Sequence, residues 1–338
     1  MRKFVPAALV LAIGLIQAPA MAQEVNLYSY RQEALIKPLL DAFTAKTRIK
    51  VNLVSGGEDA LIERLKAEGS ASPADLLITV DAGRLVRAKE LGLLQPVKST
   101  VIETTVPAAY RDPEGTWTAL SLRGRPIMYS VERVKPADLS TYEDLADPKW
   151  KGKICVRSSS HIYNQSMLAT MIESQGAAKA EAWAKGVGEN LARKPAGGDR
   201  DQLKAIAAGE CDLALANTYY LAGMTQSKDA SDQEVAKKVR IFWPNQNDRG
   251  AHVNVSGIAV TKSSKNVANA EQFIEFMLSD EAQRIHADVV GEFPIKASIP
   301  RSEVVASFGA FKADTAPLAA LARNNAEAVR IFDRTGWR

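Results

Sequence analysis

The fold is decided by three apolar segments near the start of the chain: Val25-Asn-Leu-Tyr-Ser-Tyr30, Lys50-Val-Asn-Leu-Val54 and Pro73-Ala-Asp-Leu-Leu-Ile-Thr-Val-Asp81. Each has the length and the apolar pattern of a β-strand. Between them, apolar residues recur at helical spacing over 35–43 and again over 61–65. Strands and helices that alternate through short connections form a parallel sheet with helices on both faces. The sequence therefore predicts an α/β fold.

The second half of the chain repeats this pattern. Leu65-Lys-Ala-Glu-Gly69 precedes the strand at 74–78, and a helical stretch at 203–206 closed by Gly209 precedes Cys211-Asp-Leu-Ala-Leu215. In both cases a helix ends at glycine and is followed by aspartate and an apolar strand. We therefore predict two similar lobes, and a cleft between two lobes is a favoured position for a small ligand.

Two stretches are suited to carry the chain between these lobes, at 121–126 and at 253–257. With these crossings, we assign residues 23–124 and 255–300 to the first lobe. Residues 125–254 and 301–338 then form the second lobe, which we expect to contain the candidate ligands. The periodicity at the end of the chain predicts one helix over 315–332.

The first 22 residues have the pattern of a secretory signal peptide. Met1-Arg2-Lys3 is basic, 4–16 is apolar, and Ala20-Met21-Ala22 is a small-x-small cleavage site without a lipobox cysteine. Such a segment is too short to be a membrane span. We predict an exported protein that begins near Gln23 and does not insert into the membrane. The formal charge of +4 for the whole chain, without long basic runs, argues against nucleic acid as a partner.

The chain contains two cysteines, Cys155 and Cys211. Each begins an apolar run, and the two runs can be neighbours in one sheet. An even pair in an oxidising compartment predicts one disulfide. The alternative is two buried thiols.

Two adjacent tyrosines, Tyr219 and Tyr220, follow the apolar run at 213–216. The carboxyl end of strands is where α/β folds bind ligands. A phenolate is a hard, anionic oxygen donor, which suits the hard ferric ion, and a bound cation stabilises the deprotonated form. The pair is a candidate metal site; the alternative is an aromatic pair that opens a helix.

Motifs of most catalytic chemistries are missing. The sequence has three histidines and lacks HExxH, CxxC, Walker-type and G-x-S-x-G patterns. The partial dinucleotide fingerprint that begins at Gly186 lacks its third glycine. We therefore do not expect an enzyme.

Longer blocks of sequence extend the interpretation of the tyrosine pair. They are Tyr28-Ser-Tyr-Arg-Gln32, 72–81, 142–152, 190–195, 198–201, Asn217-Thr-Tyr-Tyr220 and Val255-Ser-Gly257. In these blocks the chain resembles the periplasmic ferric-ion-binding proteins of bacterial iron-uptake ABC transporters, in the branch that begins Tyr-Ser-Tyr-Arg-Gln. The resemblance implies the type II periplasmic-binding-protein fold: two α/β lobes, joined by hinge crossings, with a central ligand cleft.

The same resemblance implies a ligand set. Tyr163 matches the family's lone tyrosine before the Tyr-Tyr pair, so Tyr163, Tyr219 and Tyr220 would bind Fe(3+) as phenolates. The first-lobe His-Tyr pair of some relatives is replaced here by Gln32-Glu33. This branch resembles proteins that complete the site with a synergistic carbonate or bicarbonate.

Under that resemblance, Arg31, Gln32 and one of Arg123 or Arg125 would face the anion, because an arginine fork matches a planar oxyanion. We favour Arg123. Whether Glu33, Tyr30 or His161 touches the metal stays open at the level of sequence.

The function implied is periplasmic capture of ferric iron by a monomer and its delivery to an inner-membrane ABC permease. One alternative keeps the fold and changes the cargo to a polyamine, a thiamine-like cation or an organic anion. Another is an enzyme that uses Cys155 or a serine of Ser158-Ser-Ser160 as nucleophile, which would require a positioned base.

Overall fold

A computed structural model describes residues 23–337 of the chain. The predicted signal peptide, residues 1–22, lies outside the described residues. Within residues 23–337, the helices are all too short or too polar to cross a membrane.

The described part of the chain forms the following elements. The strands are β1 Glu24–Ser29, β2 Lys50–Ser55, β3 Leu76–Thr79, β4 Leu94–Gln95, β5 Thr118–Gly124, β6 Ile127–Ser130, β7 Ile154–Cys155, β8 Leu213–Leu215, β9 Val239–Phe242, β10 Val253–Thr261 and β11 Phe293–Pro294. The α-helices are α1 Glu33–Thr47, α2 Glu58–Glu68, α3 Ala82–Glu90, α4 Thr100–Thr105, α5 Ile162–Gln175, α6 Ala177–Glu189, α7 Asp199–Ala208, α8 Thr218–Thr225, α9 Ala230–Lys238, α10 Val267–Met277, α11 Asp280–Ile285, α12 Glu303–Ser307, α13 Ala319–Arg323 and α14 Asn325–Thr335. A π-helical turn occupies His286–Val290.

The strands form two separate sheets, one in each lobe. The first has the order β11-β5-β10-β3-β1-β2, with β4 beside β10; the second has the order β7-β8-β6-β9. Strands β1, β2 and β3 are parallel, as the opening segments predict, whereas β10 runs antiparallel to β3 and β5 because it returns from the second lobe. The prediction of a two-lobed α/β fold is confirmed.

The lobes are joined at two neighbouring crossings, between β5 and β6 and between β9 and β10. The backbone N–H of Arg125 on the first crossing donates to the carbonyl of His252 on the second at 3.0 Å. The buried hydroxyl of Tyr142 donates to the Arg125 carbonyl at 2.8 Å and accepts the His252 N–H at 3.0 Å. Through its hydroxyl group, Tyr142 therefore hydrogen-bonds to both crossings and links them to each other.

The end of the chain differs from the prediction of one helix over 315–332. Two helices, α13 and α14, meet at Asn324. Leu318 and Leu321 pack in the core of the first lobe, whereas Ile331 and Phe332 pack in the core of the second. The helix breaks because its two halves bury their apolar faces in different lobes.

The predicted disulfide between Cys155 and Cys211 is confirmed, with the two Cα atoms 5.9 Å apart. Cys155 ends β7 and Cys211 precedes β8, and these two strands are parallel neighbours in the second sheet. The bond therefore joins the two segments that continue toward Tyr163 and toward the Tyr219-Tyr220 pair.

Candidate metal centre

The adjacent tyrosines begin helix α8, directly after the buried strand β8. Asn217 is the N-cap residue of α8, so Tyr219 and Tyr220 lie in its first turn. Both side chains are half-buried, and their ring centroids are 4.3 Å apart. The sequence produces this position because the apolar strand ends at Leu215 and a polar Asn-Thr step starts the helix.

Tyr163 reaches the same place from the first turn of helix α5. Its hydroxyl lies 2.9 Å from the hydroxyl of Tyr219, and its ring belongs to a small apolar cluster that Tyr220 also contacts. The structure therefore brings together the three tyrosines that the resemblance selects. Burial, followed by the neighbouring phenols of Tyr163 and Tyr220, raises the pKa of the Tyr219 phenol well above its ordinary value.

Three guanidinium groups surround the ring of Tyr163. The Arg123, Arg125 and Arg157 groups lie 5.2, 5.6 and 5.2 Å from the ring centroid, within cation–π distance. Asp199 accepts from Arg125 at 2.8 Å and from Arg157 at 3.1 Å. Burial alone raises the pKa of a carboxyl, but these two arginines outweigh it, so the pKa of Asp199 lies below its ordinary value.

The structure distinguishes Arg123 from Arg125. Arg125 donates through Nη1 to Asp199 and Asn217, and through Nη2 to Asn164 and to the Leu215 carbonyl. The Nη2 atom of Arg123 donates to the Val80 carbonyl, whereas its buried Nη1 atom has no partner among the described residues. Within the described part of the chain, Arg123 thus has an unpartnered terminal nitrogen, whereas both terminal nitrogens of Arg125 are engaged within the second lobe and its unpartnered buried nitrogen is Nε.

Arg31 is engaged within the first lobe. Its Nη2 atom donates to both carboxylate oxygens of Glu292, at 3.0 and 2.9 Å, and to the hydroxyl of Ser256; Ser121 donates to the same carboxylate. Both members of the pair are buried, at 4% and 1% exposure. Burial raises the pKa of Glu292, but Arg31 and Arg123 outweigh it and the net pKa is lowered.

The other two candidates of the first lobe, Gln32 and Glu33, have exposed side chains at the start of helix α1. The structure does not bring them into the buried tyrosine cluster. Tyr30, by contrast, packs against that cluster from the end of β1.

His161 links Tyr30 to the second lobe. It is the N-cap residue of α5: its Nδ1 atom accepts the Tyr163 N–H at 3.2 Å, and its Nε2 atom lies 3.4 Å from the Tyr30 hydroxyl. Burial, together with the nearby Arg157, lowers the pKa of His161 to about 3, so the imidazole is neutral at physiological pH.

Sequence reasoning missed Arg157, Asp199 and Glu292, which set the charge around the site. Asp199 lies in the block at 198–201 that carries the resemblance, but no local pattern marks Arg157 or Glu292. Within residues 23–337 no group of three or more His, Cys, Asp or Glu residues is arranged to hold a metal ion. The phenols are therefore the donors that a hard cation would meet here.

The comparisons with known proteins agree with this architecture. Residues 71–307 match the family described as bacterial extracellular solute-binding protein. Iron uptake protein A1 of Synechocystis sp. is 48% identical over 320 residues, which cover 95% of this chain and 89% of that protein.

Two solved structures extend the comparison. The Trichodesmium IdiA (FutA) protein in complex with iron and citrate ligands superposes with a TM-score of 0.89 at 50% identity, over 93% of this chain and 100% of that one. The ferric binding protein of Campylobacter jejuni gives a TM-score of 0.90 at 45% identity, over 93% and 100%. The chain belongs to the ferric-ion-binding branch of the bacterial extracellular solute-binding proteins.

Membership of this family confirms the resemblance, the two-lobed fold and the prediction that the protein is not an enzyme, because its relatives are solute-binding transport proteins. The cysteine nucleophile is also removed directly, since Cys155 is part of a disulfide.

Proposed function

We propose that this protein captures ferric iron in the periplasm through the phenolates of Tyr163, Tyr219 and Tyr220. The observation that carries the proposal is the 2.9 Å approach of the Tyr163 and Tyr219 hydroxyls, which come from two different helices. If both phenols were deprotonated at this distance, the two phenolates would repel each other strongly unless a cation lay between them. A ferric ion supplies that cation, and three phenolates balance its charge.

The raised pKa of Tyr219 fits a site that deprotonates only when the metal arrives. Each phenol releases its proton to water as its oxygen binds iron, so the apparent affinity falls as the pH falls. Acidification therefore favours release of the ion, and neutral pH favours capture.

A synergistic anion, carbonate or bicarbonate, completes the coordination in this proposal. Three tyrosines leave about half of an octahedral shell open, and a bidentate oxyanion fills two positions. Arg123 supports this role because its unpartnered Nη1 donor lies beside Tyr163. Arg31 is a second candidate for binding the anion. Its hydrogen bonds to side chains within residues 23–337 all use Nη2, so Nε and Nη1 are the atoms that would donate to the anion. Gln32, exposed at the same strand end, is the third candidate.

In this proposal the protein acts as a monomer and delivers iron to an inner-membrane ABC permease. Membership of the solute-binding family and the predicted signal peptide support delivery to a permease. Its relatives include iron uptake proteins and proteins called periplasmic. Among the alternative cargoes, the guanidinium groups around Tyr163 favour a small organic anion. They repel a polyamine or a thiamine-like cation, which, unlike ferric iron, does not convert the phenols to phenolates.

The test is a set of single Tyr-to-Phe changes at 163, 219 and 220, which keep the ring and delete the oxygen. Each should weaken iron binding by about 100-fold or more, roughly 2.7 kcal/mol, measured by competition with citrate. The visible tyrosinate-to-iron charge-transfer band should weaken in parallel. Tyr129→Phe is the matched control, since Tyr129 is a half-buried residue of β6 in the same lobe.

Wild-type iron retention and an unchanged band in all three variants would refute tyrosine ligation. Tight binding of an organic anion by the iron-free protein, unaffected by added iron, would support the alternative cargo instead.

A further inference from the structure

We propose that Tyr30 of the first lobe supplies a further oxygen ligand to the ferric ion and that His161 of the second lobe positions it. This inference rests on the proposed function and names a ligand that the three-tyrosine site lacks. It is carried by the hydrogen bonds of His161 and by the packing of Tyr30.

The direction of the contact between His161 and Tyr30 follows from the helix cap. The Nδ1 atom accepts the Tyr163 N–H at 3.2 Å, and a ring nitrogen that accepts has no proton. The imidazole proton is therefore on Nε2, which lies 3.4 Å from the Tyr30 hydroxyl oxygen. His161 is the donor and the Tyr30 oxygen is the acceptor. A donor aimed at a phenol oxygen stabilises the negative charge that metal binding creates there.

Tyr30 is also in the right place. It follows β1, where its backbone N–H donates to the Ile78 carbonyl at 3.1 Å, and its side chain packs against the cluster of Val80, Ile162 and Tyr163. Tyr220 packs against the same cluster from the second lobe. Tyr30 is thus a first-lobe phenol that shares an apolar contact with two of the proposed ligands.

The coordination count leaves a position for it. Three phenolates and one bidentate anion occupy five sites of an octahedral ion, so one site is open. Glu33 is a poor occupant because its side chain is exposed at the start of helix α1. The phenol of Tyr30 releases its proton to water when it binds, as the other tyrosines do.

A ligand from the first lobe gives iron a differential contact in the closed protein. Tyr163, Tyr219 and Tyr220 all lie on second-lobe helices, so they alone do not favour closure of the cleft. A bond from iron to Tyr30 exists only when the lobes meet, and such a contact is what shifts an open–closed equilibrium.

Three variants of the full mature protein test the proposal. Tyr30→Phe deletes the oxygen. Tyr28→Phe is the matched control from β1, the strand that Tyr30 follows, and the Tyr28 hydroxyl donates to Glu68 at 3.0 Å inside the first lobe. His161→Asn keeps a good N-cap side chain but is too short to reach Tyr30. The readouts are iron retention against citrate and the intensity and position of the charge-transfer band.

We expect Tyr30→Phe to lower iron affinity about tenfold or more and to weaken and shift the band, because one phenolate is lost. His161→Asn should act in the same direction with a smaller effect, and Tyr28→Phe should match the wild type. If Tyr30→Phe lowers affinity but leaves the band unchanged, the phenol closes the cleft without touching iron and the proposal is wrong.

Tyr219→Phe separates this inference from the proposed function. If Tyr219→Phe loses iron while Tyr30→Phe behaves like Tyr28→Phe, only the Tyr30 inference is overturned. If Tyr219→Phe also retains the band and full iron affinity, the tyrosine site itself is wrong.

Discussion

The two lobes each contain a buried cluster of charges at the cleft, and the clusters are built differently. In the first lobe, Arg31 is paired one-to-one with Glu292. In the second lobe, Arg125 and Arg157 share the single carboxylate of Asp199. Arg123 extends from the first sheet toward Tyr163 and donates to the Val80 carbonyl. The carboxyl groups of Asp81 and Glu292 also face its positive charge.

The difference separates the structural role from the binding role. A balanced pair creates little net field, so the Arg31–Glu292 pair chiefly fixes the strand ends of the first lobe. The second cluster has an excess of positive charge beside three phenols, which favours negative charge at that point. In the proposed function, phenolates and a bound oxyanion provide this negative charge, so the lobe with the excess of cations is the one where we place the metal ligands.

The largest expected effect comes from removing the shared carboxylate. Asp199→Asn leaves Arg125 and Arg157 buried without a counter-charge, which should lower the free energy of unfolding by about 3–5 kcal/mol. Denaturant unfolding of the iron-free protein measures it. Asp212→Asn is the control: Asp212 bonds Arg133 at 2.6 Å in the same lobe but near the surface, where a pair contributes about 1 kcal/mol or less. Equal losses in both variants would show that burial of the Asp199 cluster has no special importance.

A somewhat smaller effect is expected in the balanced cluster. Arg31→Gln leaves Glu292 buried and charged, which should cost about 3 kcal/mol of unfolding free energy. The double variant Arg31→Gln/Glu292→Gln should recover most of this loss, because it removes both charges together. Comparison of the double variant with the wild type therefore measures the contribution of Arg31 to anion-dependent iron binding without leaving an unpaired buried carboxylate. Failure of the second change to restore stability would contradict the description of this pair as balanced.

The buried histidine His286 should make the stability of the first lobe depend on pH. It lies beside the first-lobe cluster, and within residues 23–337 neither ring nitrogen has a hydrogen-bond partner. Burial, then Arg31, lowers its pKa to about 4. Because this folded pKa is below the unfolded value of about 6.5, the stabilisation is fully present above pH 6.5 and is lost as the pH falls toward 4. At pH 5 the loss from this residue should be about 2 kcal/mol.

His286→Leu should remove that contribution, so the change in unfolding free energy between pH 7.5 and pH 5 becomes about 2 kcal/mol smaller than in the wild type. His161 and His252, whose pKa values burial also lowers to about 3, remain in both proteins and cancel in the comparison. An unchanged pH dependence would mean that His286 is already solvated in the folded state.

The sequence could predict the parts of the molecule that local pattern determines. The opening strands and the positions of the tyrosines after strand ends can be predicted from short segments of sequence. The disulfide can be predicted from the two cysteines and the oxidising compartment to which the protein is expected to be exported. The resemblance then selected Tyr163. These features depend on neighbours in the chain or on a pairing of only two cysteines.

The parts that could not be predicted depend on distant partners. Glu292 lies 261 residues from Arg31, and no local pattern relates them. The two helices at the end of the chain share one apolar periodicity, and only the presence of two separate cores explains why Asn324 interrupts it. Side-chain pairing between segments far apart in the chain is a property of the assembled fold.

The smallest expected effect tests the contact by which the first lobe meets the tyrosine helix. Gly291 has a φ of +72°, and a Cβ atom there would lie 3.0 Å from the Cβ of Ala222 and 3.7 Å from that of Tyr219, both on α8. Gly291→Ala therefore adds backbone strain and pushes the lobes apart, and should lower iron affinity about five-fold, roughly 1 kcal/mol. Gly309→Ala separates the two causes, because Gly309 has a φ of +80° but its added Cβ would meet no neighbouring atom of residues 23–337 within 4 Å. It should lose stability through strain alone and keep its iron affinity, since a Cβ that touches neither lobe affects the open and closed states equally. Iron titrations and unfolding curves on both variants decide the matter. If Gly309→Ala weakened iron binding as much as Gly291→Ala, the close approach of the Gly291 turn to α8 would have no part in holding the cleft closed over the metal.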